Sequence, residues 1–308
     1  MGGTRQPRNA GVTIDMDTTV VALLADRGVV SLSGTDAVDF LDNLATNDLS
    51  GMAAGEARFA GLLTPQGKIL FEFFAVRTSD GWLLDTLGTK VGDLIKRLTM
   101  YRLRAKVVLA DVSADYAVAA AWGSAPPVSD AGWCYRDPRH TDLGWRLIVP
   151  RPAAGALSIS ATEDDHHRHR IAVSIAEGGR DYPLGDTFPH EANYDRDAGV
   201  SFTKGCFVGQ EVVARMQNKT VVRKRVVAIT GGAPLATGAE VMIGGTAAIG
   251  TVGSVDGMRG LALLRIDRAA EAADKGQTLT TTGGTIVTAD PAALDRYRAS
   301  AAARATAP

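Results

Sequence analysis

Short apolar runs alternate with amphipathic stretches through the first two thirds of the chain, which predicts strands interleaved with helices. Residues 20–24 and 29–32 read as strands around a turn at Asp26, Arg27 and Gly28. Thr35 stands where a helix cap belongs, ahead of Val38, Leu41 and Leu44 on one helical face, with Asn47 as a stop. The clearest β pattern covers 59–63 and 69–76, joined by Thr64, Pro65, Gln66 and Gly67, where proline second and glycine fourth fit a type I turn. Residues 82–87 extend it into a meander. A helix face at Val91, Leu94, Ile95 and Leu98 follows, then strands over 106–109 and 116–121, a proline-bearing loop at 125–129, and a strand over 143–149. Thr162 and Asp165 resemble a capping box opening a helix that runs to Gly178 and Gly179. Together these elements predict an α+β fold with a mostly antiparallel sheet.

Beyond Lys219 the texture changes to short valine- and threonine-rich runs at 225–230, 240–243, 247–252, 260–266, 277–281 and 285–288, punctuated by glycine. Regular short strands of this kind predict a small barrel or sandwich. The expected organisation is a tail over 1–17, an α+β region over 18–218, a C-terminal β-barrel over 219–295, and an alanine-rich tail over 296–308.

A length of 308 residues with 45% hydrophobic content supports more than one core. The net charge of −1 argues against a general binder of nucleic acid or membrane surfaces, so neither is expected as a direct partner. Two cysteines, Cys134 and Cys206, are too few for a disulfide framework, and the first residues lack a signal-peptide core; a reducing cytoplasm is the expected compartment.

Candidate chemistry concentrates at 204–215, K-G-C-F-V-G-Q-E-V-V-A-R. Lys204 is expected to supply positive charge to Cys206, and a helix from Gln210 to add its N-terminal amides, both favouring thiolate. The alternative is a small buried hydrophobe between Phe207 and Val208, as Cys134 beside Trp133 and Tyr135 is expected to be. Glu72 lies in a strand apolar on both faces, where a carboxylate is paired or functional; a sheet-rim position or a partner such as Arg102 or Arg104 would also satisfy it. The stretch 61–68, G-L-L-T-P-Q-G-K, has the wrong spacing for a phosphate loop and reads as a hairpin. His166, His167 and His169 share their segment with Arg168 and Arg170, which would repel a cation, so a solvated helix face and no metal are expected. The basic string Lys219, Arg223, Lys224 and Arg225 fits either a protected strand edge or a dock for an anionic tail.

The 204–215 segment closely resembles the signature of the YgfZ family, folate-binding relatives of the glycine-cleavage T-protein that support iron–sulfur proteins. The stretches F-L-D-N-L-A-T-N-D-L (40–49), L-T-P-Q-G-K-I-L (63–70), Y-R-L-R-A-K-V (101–107) and A-I-G-T-V-G-S-V (248–255) match in the same order. The resemblance implies a T-protein-like architecture, a cloverleaf of three modules around a central folate cavity: two α+β modules and the C-terminal β-barrel. It implies tetrahydrofolate, or a derivative, as cofactor, and iron–sulfur assembly or client proteins as partners, tRNA-modifying methylthiotransferases among the enzymes served. Cys206 is then the reactive thiol, with Lys204, Gln210, Glu211 and Arg215 positioning it or the ligand. Glu72 and Glu191, the latter in a P-x-E-A element, would face the folate, and Arg223 and Arg225 its glutamyl tail. Aminomethyl transfer or folate-dependent demethylation through Glu72 is the competing activity. Against it, the T-protein carboxylate motif reads G-K-I-L-F-E at 67–72, and the stretch corresponding to T-G-E-x-G-F-E reads H-T-D-L-G-W-R at 140–146.

Overall fold

The computed structural model describes residues 19–126 and 131–306, so the expected N-terminal tail and part of the 125–129 loop lie outside the described residues. The N-terminal half carries β1 (Val20–Leu23), β2 (Arg27–Ser33), α1 (Ala37–Asp42), β3 (Ala57–Leu63), β4 (Ile69–Arg77), β5 (Gly81–Leu87) and α2 (Val91–Arg102). Next come β6 (Val108–Asp111), β7 (Tyr116–Trp122), β8 (Trp133–Arg136), β9 (Trp145–Pro150), α3 (Glu163–Ala172) and α4 (Gln210–Lys219). The C-terminal part holds β10 (Lys224–Gly231), β11 (Glu240–Ile243), β12 (Ala247–Asp256), β13 (Arg259–Arg265), α5 (Ile266–Asp274), β14 (Leu279–Thr281), β15 (Ile286–Ala289) and α6 (Pro291–Ala305).

These make three β modules. One is a five-stranded antiparallel sheet ordered β3-β4-β5-β2-β6, the second a four-stranded antiparallel sheet ordered β1-β7-β9-β8, and the third a closed barrel ordered β10-β13-β12-β11-β14-β15. The two strands flanking the Asp26 turn thus part company. β1 pairs with β7 and β2 with β5 and β6, so one tight turn stitches the first two sheets together.

A hydrophobic cluster lies where the modules meet: Phe59 and Phe74 of the first sheet, Trp122 and Ile148 of the second, Tyr182 and Tyr194 of the long connection, and Leu261 and Leu263 of the barrel. Buried ion pairs cross the same junction. Asp85 on β5 accepts from Arg27 at 2.6 Å and from Arg146 on β9 at 2.5 Å. Arg170 on α3 donates to Asp181 at 2.6 Å and to Ser254 of the barrel at 2.5 Å.

Several expectations are corrected. The 59–76 hairpin forms as expected, with Thr64 and Lys68 closing it by a 2.8 Å backbone bond. Asp36, not Thr35, precedes α1, and its carboxylate accepts from the Lys106 amide at 2.7 Å, tying the helix start to the approach to β6. The Thr162–Asp165 capping box is present, but α3 stops at Ala172, ahead of Ser174 in the left-handed region at φ 63°. The histidine face is not solvated: His166 and Arg170 point inward and are buried, because the barrel and β1 pack on that side of α3. Residues 296–305, expected as a tail, are helical. Asp290 caps the start, Pro291 takes the first turn, alanine favours helix without any periodicity, and Arg304 donates to the Gln217 carbonyl at the end of α4 at 2.5 Å. Among the described residues no helix is long and apolar enough to cross a membrane.

Candidate functional site: the cysteine loop and the cavity beside it

The 204–209 segment is an irregular loop delivering the chain into α4. Its conformation is locked by two glycines. Gly209 sits at φ 81°, and a Cβ there would meet the Thr64 carbonyl at 2.7 Å; a Cβ on Gly67, also at φ 81°, would meet Val212 at 2.8 Å. The β3–β4 hairpin turn and the start of α4 are therefore pressed together as only glycine permits. Phe207 and Val213 anchor the segment in the junction cluster, while Cys206, just ahead of Phe207, is exposed as a free thiol. Gln210 is half-exposed, and Glu211 and Arg215 face solvent one helical turn apart.

Lys204 does something other than expected. Its ammonium donates to the Asp42 carbonyl at 2.5 Å, the Asp42 carboxylate at 3.1 Å, the Ala45 carbonyl at 3.1 Å and the Asn47 carbonyl at 2.8 Å. The T-N-D loop after α1 folds around this one cation. The side chain is 2% exposed, and its charge is spent on Asp42 and three carbonyls rather than on the sulfur. Burial lowers its pKa and the Asp42 carboxylate opposes that shift. Lys204 fixes the position of Cys206 as a structural anchor; the expectation that it supplies the thiolate's charge is corrected.

Beside α4 lies an open cavity of about 710 Å³, lined by Glu191, Val212 and Met216 together with Lys219, Arg223 and Lys224. Glu191 is half-buried, one carboxylate oxygen accepting from the Phe188 amide at 2.9 Å; burial raises its pKa while Lys224 and Lys68 pull it down. Glu191 and Arg223 thus line one cavity. Arg225 does not join them: its guanidinium is buried, holding Asp195 at 2.7 and 2.8 Å and the His190 carbonyl at 2.6 Å, so it braces the 190–195 turn.

Glu72 is not among the residues lining the Glu191 cavity. Glu72 is 3% exposed, accepts a short hydrogen bond from the Tyr182 hydroxyl, and packs against Gly178, where a Cβ would stand 3.0 Å from its oxygen. Burial raises its pKa. Arg102 and Arg104, the partners considered for it, are exposed elsewhere; the cations that act on it are Arg27 and Arg139. Around it the centre is packed. Arg139 stacks on Phe59 and Phe74 and pairs with Asp137 at 2.8 Å, and Arg146 lies 4.1 Å from the Phe74 centroid. Sequence reasoning missed Asp85 and Arg146, although the signal that exposed Glu72, a charge inside an apolar strand, is equally plain in W-L-L-D-T-L and W-R-L-I-V. Cys134, expected as a packed thiol, is exposed on the edge strand β8.

The comparisons with known proteins agree with this architecture. Residues 23–127 match the GCVT N-terminal domain and residues 223–295 the CAF17 C-terminal beta-barrel domain. The crystal structure of glycine cleavage system aminomethyltransferase T from Bartonella henselae superposes with a TM-score of 0.72 over 89% of this chain and 85% of that one, at 16% identity, which establishes the fold. Iron–sulfur cluster assembly factor IBA57, mitochondrial, from Homo sapiens is 33% identical over 271 residues, 78% of this chain and 76% of its own length. The Mus musculus protein of that name is 34% identical over 79% and 76%. The IBA57 homolog of Mycosarcoma maydis is 36% identical over 231 residues, and this chain spans 57% of its length. On these likenesses the chain belongs to the family of iron–sulfur cluster assembly factor IBA57.

Proposed function

We propose that the chain acts in iron–sulfur cluster assembly or repair by presenting Cys206 as a cluster-handling thiol, in the manner of the YgfZ type. Tetrahydrofolate would occupy the Glu191 cavity, and iron–sulfur enzymes such as tRNA-modifying methylthiotransferases would be the clients. The observation that carries this reading is the exposure of Cys206 on a loop held rigid by Lys204 and the Gly67–Gly209 contact. Iron–sulfur clusters take about four thiolate-type ligands. This chain has two cysteines, one on the β8 edge and one before α4, so a cluster touched by Cys206 is cargo shared with another protein. Free thiols at both positions suit a reducing compartment such as the cytoplasm.

The folate part is supported by the donor set of the cavity. Its volume of about 710 Å³ suits a drug-sized ligand. Glu191 offers a carboxylate to the amino edge of a pterin, and Lys219, Arg223 and Lys224 offer cations to a carboxylate tail. One-carbon transfer through Glu72 is disfavoured, since that carboxylate is buried against Tyr182 and Gly178.

Two measurements test the proposal. Cys206→Ala should fold normally yet fail to restore iron–sulfur enzyme activity in cells lacking the chain, and full restoration would refute the thiol's role. Calorimetric titration with tetrahydrofolate should show binding that Glu191→Gln weakens by at least tenfold; no heat with the wild-type chain would remove the folate.

A further inference from the structure

The segment 101–107, Y-R-L-R-A-K-V, is left unexplained by the cysteine loop and the cavity. α2 ends there in a tight turn closed by the Ala105 amide donating to the Arg102 carbonyl at 2.7 Å. Leu103 holds its second position at φ 43° and ψ −102°, the geometry of a type II′ turn, which calls for glycine. Its side chain is 89% exposed, so a leucine is held in a glycine conformation with its apolar surface in water. Met100, one turn earlier, is 68% exposed, and Val108, opening the edge strand β6 that packs on α2, is 62% exposed. Arg102, Arg104 and Lys106 surround this apolar knob, all exposed and none in an ion pair among the described residues.

We propose that this turn is the docking surface for an acidic protein partner, whose carboxylates meet Arg102, Arg104 and Lys106 while an apolar pocket takes Leu103. Asp36 faces Lys106, but Arg102 and Arg104 carry no ion pair among the described residues, and this local excess of positive charge selects the partner's sign, in a chain whose net charge is −1. Arginine is enriched among the residues that carry interface energy, and here two arginines flank an exposed apolar side chain that a partner could cover. The surface is also linked to the Cys206 loop. α1 joins them: Asp36 at its start holds the Lys106 amide, and Asp42 at its end holds Lys204, two residues before the thiol. Six residues of helix span about 9 Å. The turn and the cysteine loop are thus tied to opposite ends of one short helix, so a partner seated on Leu103 is held in a fixed relation to the thiol; that it exchanges a cluster with it rests on the function proposed above.

The test places a photo-crosslinker in the full chain at Leu103→p-benzoylphenylalanine, with the same group at exposed Met258 on the barrel as control. The expected result is a cross-link from position 103 alone to an acidic protein. That protein, purified, should bind Leu103→Gly and the Arg102→Glu/Arg104→Glu double variant at least tenfold more weakly than wild type, and bind wild type more weakly as salt rises. Leu103→Gly relieves the turn, so its melting temperature should stay level or rise, which separates lost binding from lost folding. No cross-link above the control, a cross-link to nucleic acid or to a second copy of the chain, or equal binding by the variants would overturn the proposal. A docked acidic protein free of iron and sulfide would uphold the surface and count against the cluster reading, so the two fail separately.

Discussion

At the meeting point of the three modules, Arg27, Asp85, Arg146, Asp137, Arg139, Arg170 and Asp181 are nearly sealed from water, each charge answered by another within a packed aromatic shell. At the cysteine loop a single cation, Lys204, is also withdrawn, but it holds backbone carbonyls and leaves the side chains that follow it, Cys206, Glu211 and Arg215, in solvent. The centre spends its charges on cohesion, whereas the loop uses one charge to hold these exposed groups outward. In a T-protein-like fold the centre is where a folate site is expected; here Glu72 at that centre is buried against Tyr182 and Gly178. The function proposed above puts the chemistry at the rim, where the cysteine loop leads into α4 and α4 lines the Glu191 cavity.

The contrast can be broken from either side. Asp85→Asn leaves Arg27 and Arg146 without their shared carboxylate, and removing one partner of a buried pair costs about 3–5 kcal/mol. Denaturant unfolding should show that loss. A cost below about 0.5 kcal/mol, the level of an ordinary surface change, would mean that the centre is wetter than its packing implies. Lys204→Met should cost less, about 1.5–3 kcal/mol for the charged hydrogen bonds it forfeits, while raising proteolytic cutting between 42 and 49 and around 206. Unchanged proteolysis would show that the loop keeps its shape without the ammonium.

The pH response gives a finer probe of the centre. Burial pushes the His166 imidazole down to about 3 from 6.5, so the unfolded chain binds its proton more readily than the native one. That contribution is complete above about pH 6.5 and is lost as pH falls toward about 3, by up to about 1.4 kcal/mol per unit. Glu177 acts in the same direction: despite burial, Arg170 and its neighbours hold its carboxyl well below the usual range, so its stabilisation is also lost on acidification. Melting temperature should fall between pH 7 and pH 5, and His166→Gln should flatten that slope; an equal slope in the variant would assign it elsewhere.

Much of this was legible in the chain. The barrel announced itself through short, evenly spaced strands, and the 59–76 hairpin through proline and glycine at their turn positions. Glu72 stood out because a carboxylate inside an apolar strand demands an explanation, though its partner, Tyr182, lies 110 positions away and leaves no local trace. Lys204 shows the same limit. A lysine two residues before a cysteine suggests electrostatic help, but its acceptors are backbone carbonyls about 160 residues earlier, and backbone groups carry no sequence signal. The C-terminal helix escaped because alanine supplies helix propensity without a hydrophobic stripe.

The most direct test sets rim against centre in one assay. Cells lacking the chain receive Cys206→Ala or Glu72→Gln, each confirmed to melt within a few degrees of wild type, and the activity of an iron–sulfur enzyme is read. Function at the rim predicts that Cys206→Ala restores nothing and Glu72→Gln restores nearly everything; the opposite pattern would return the chemistry to the centre and contradict the account.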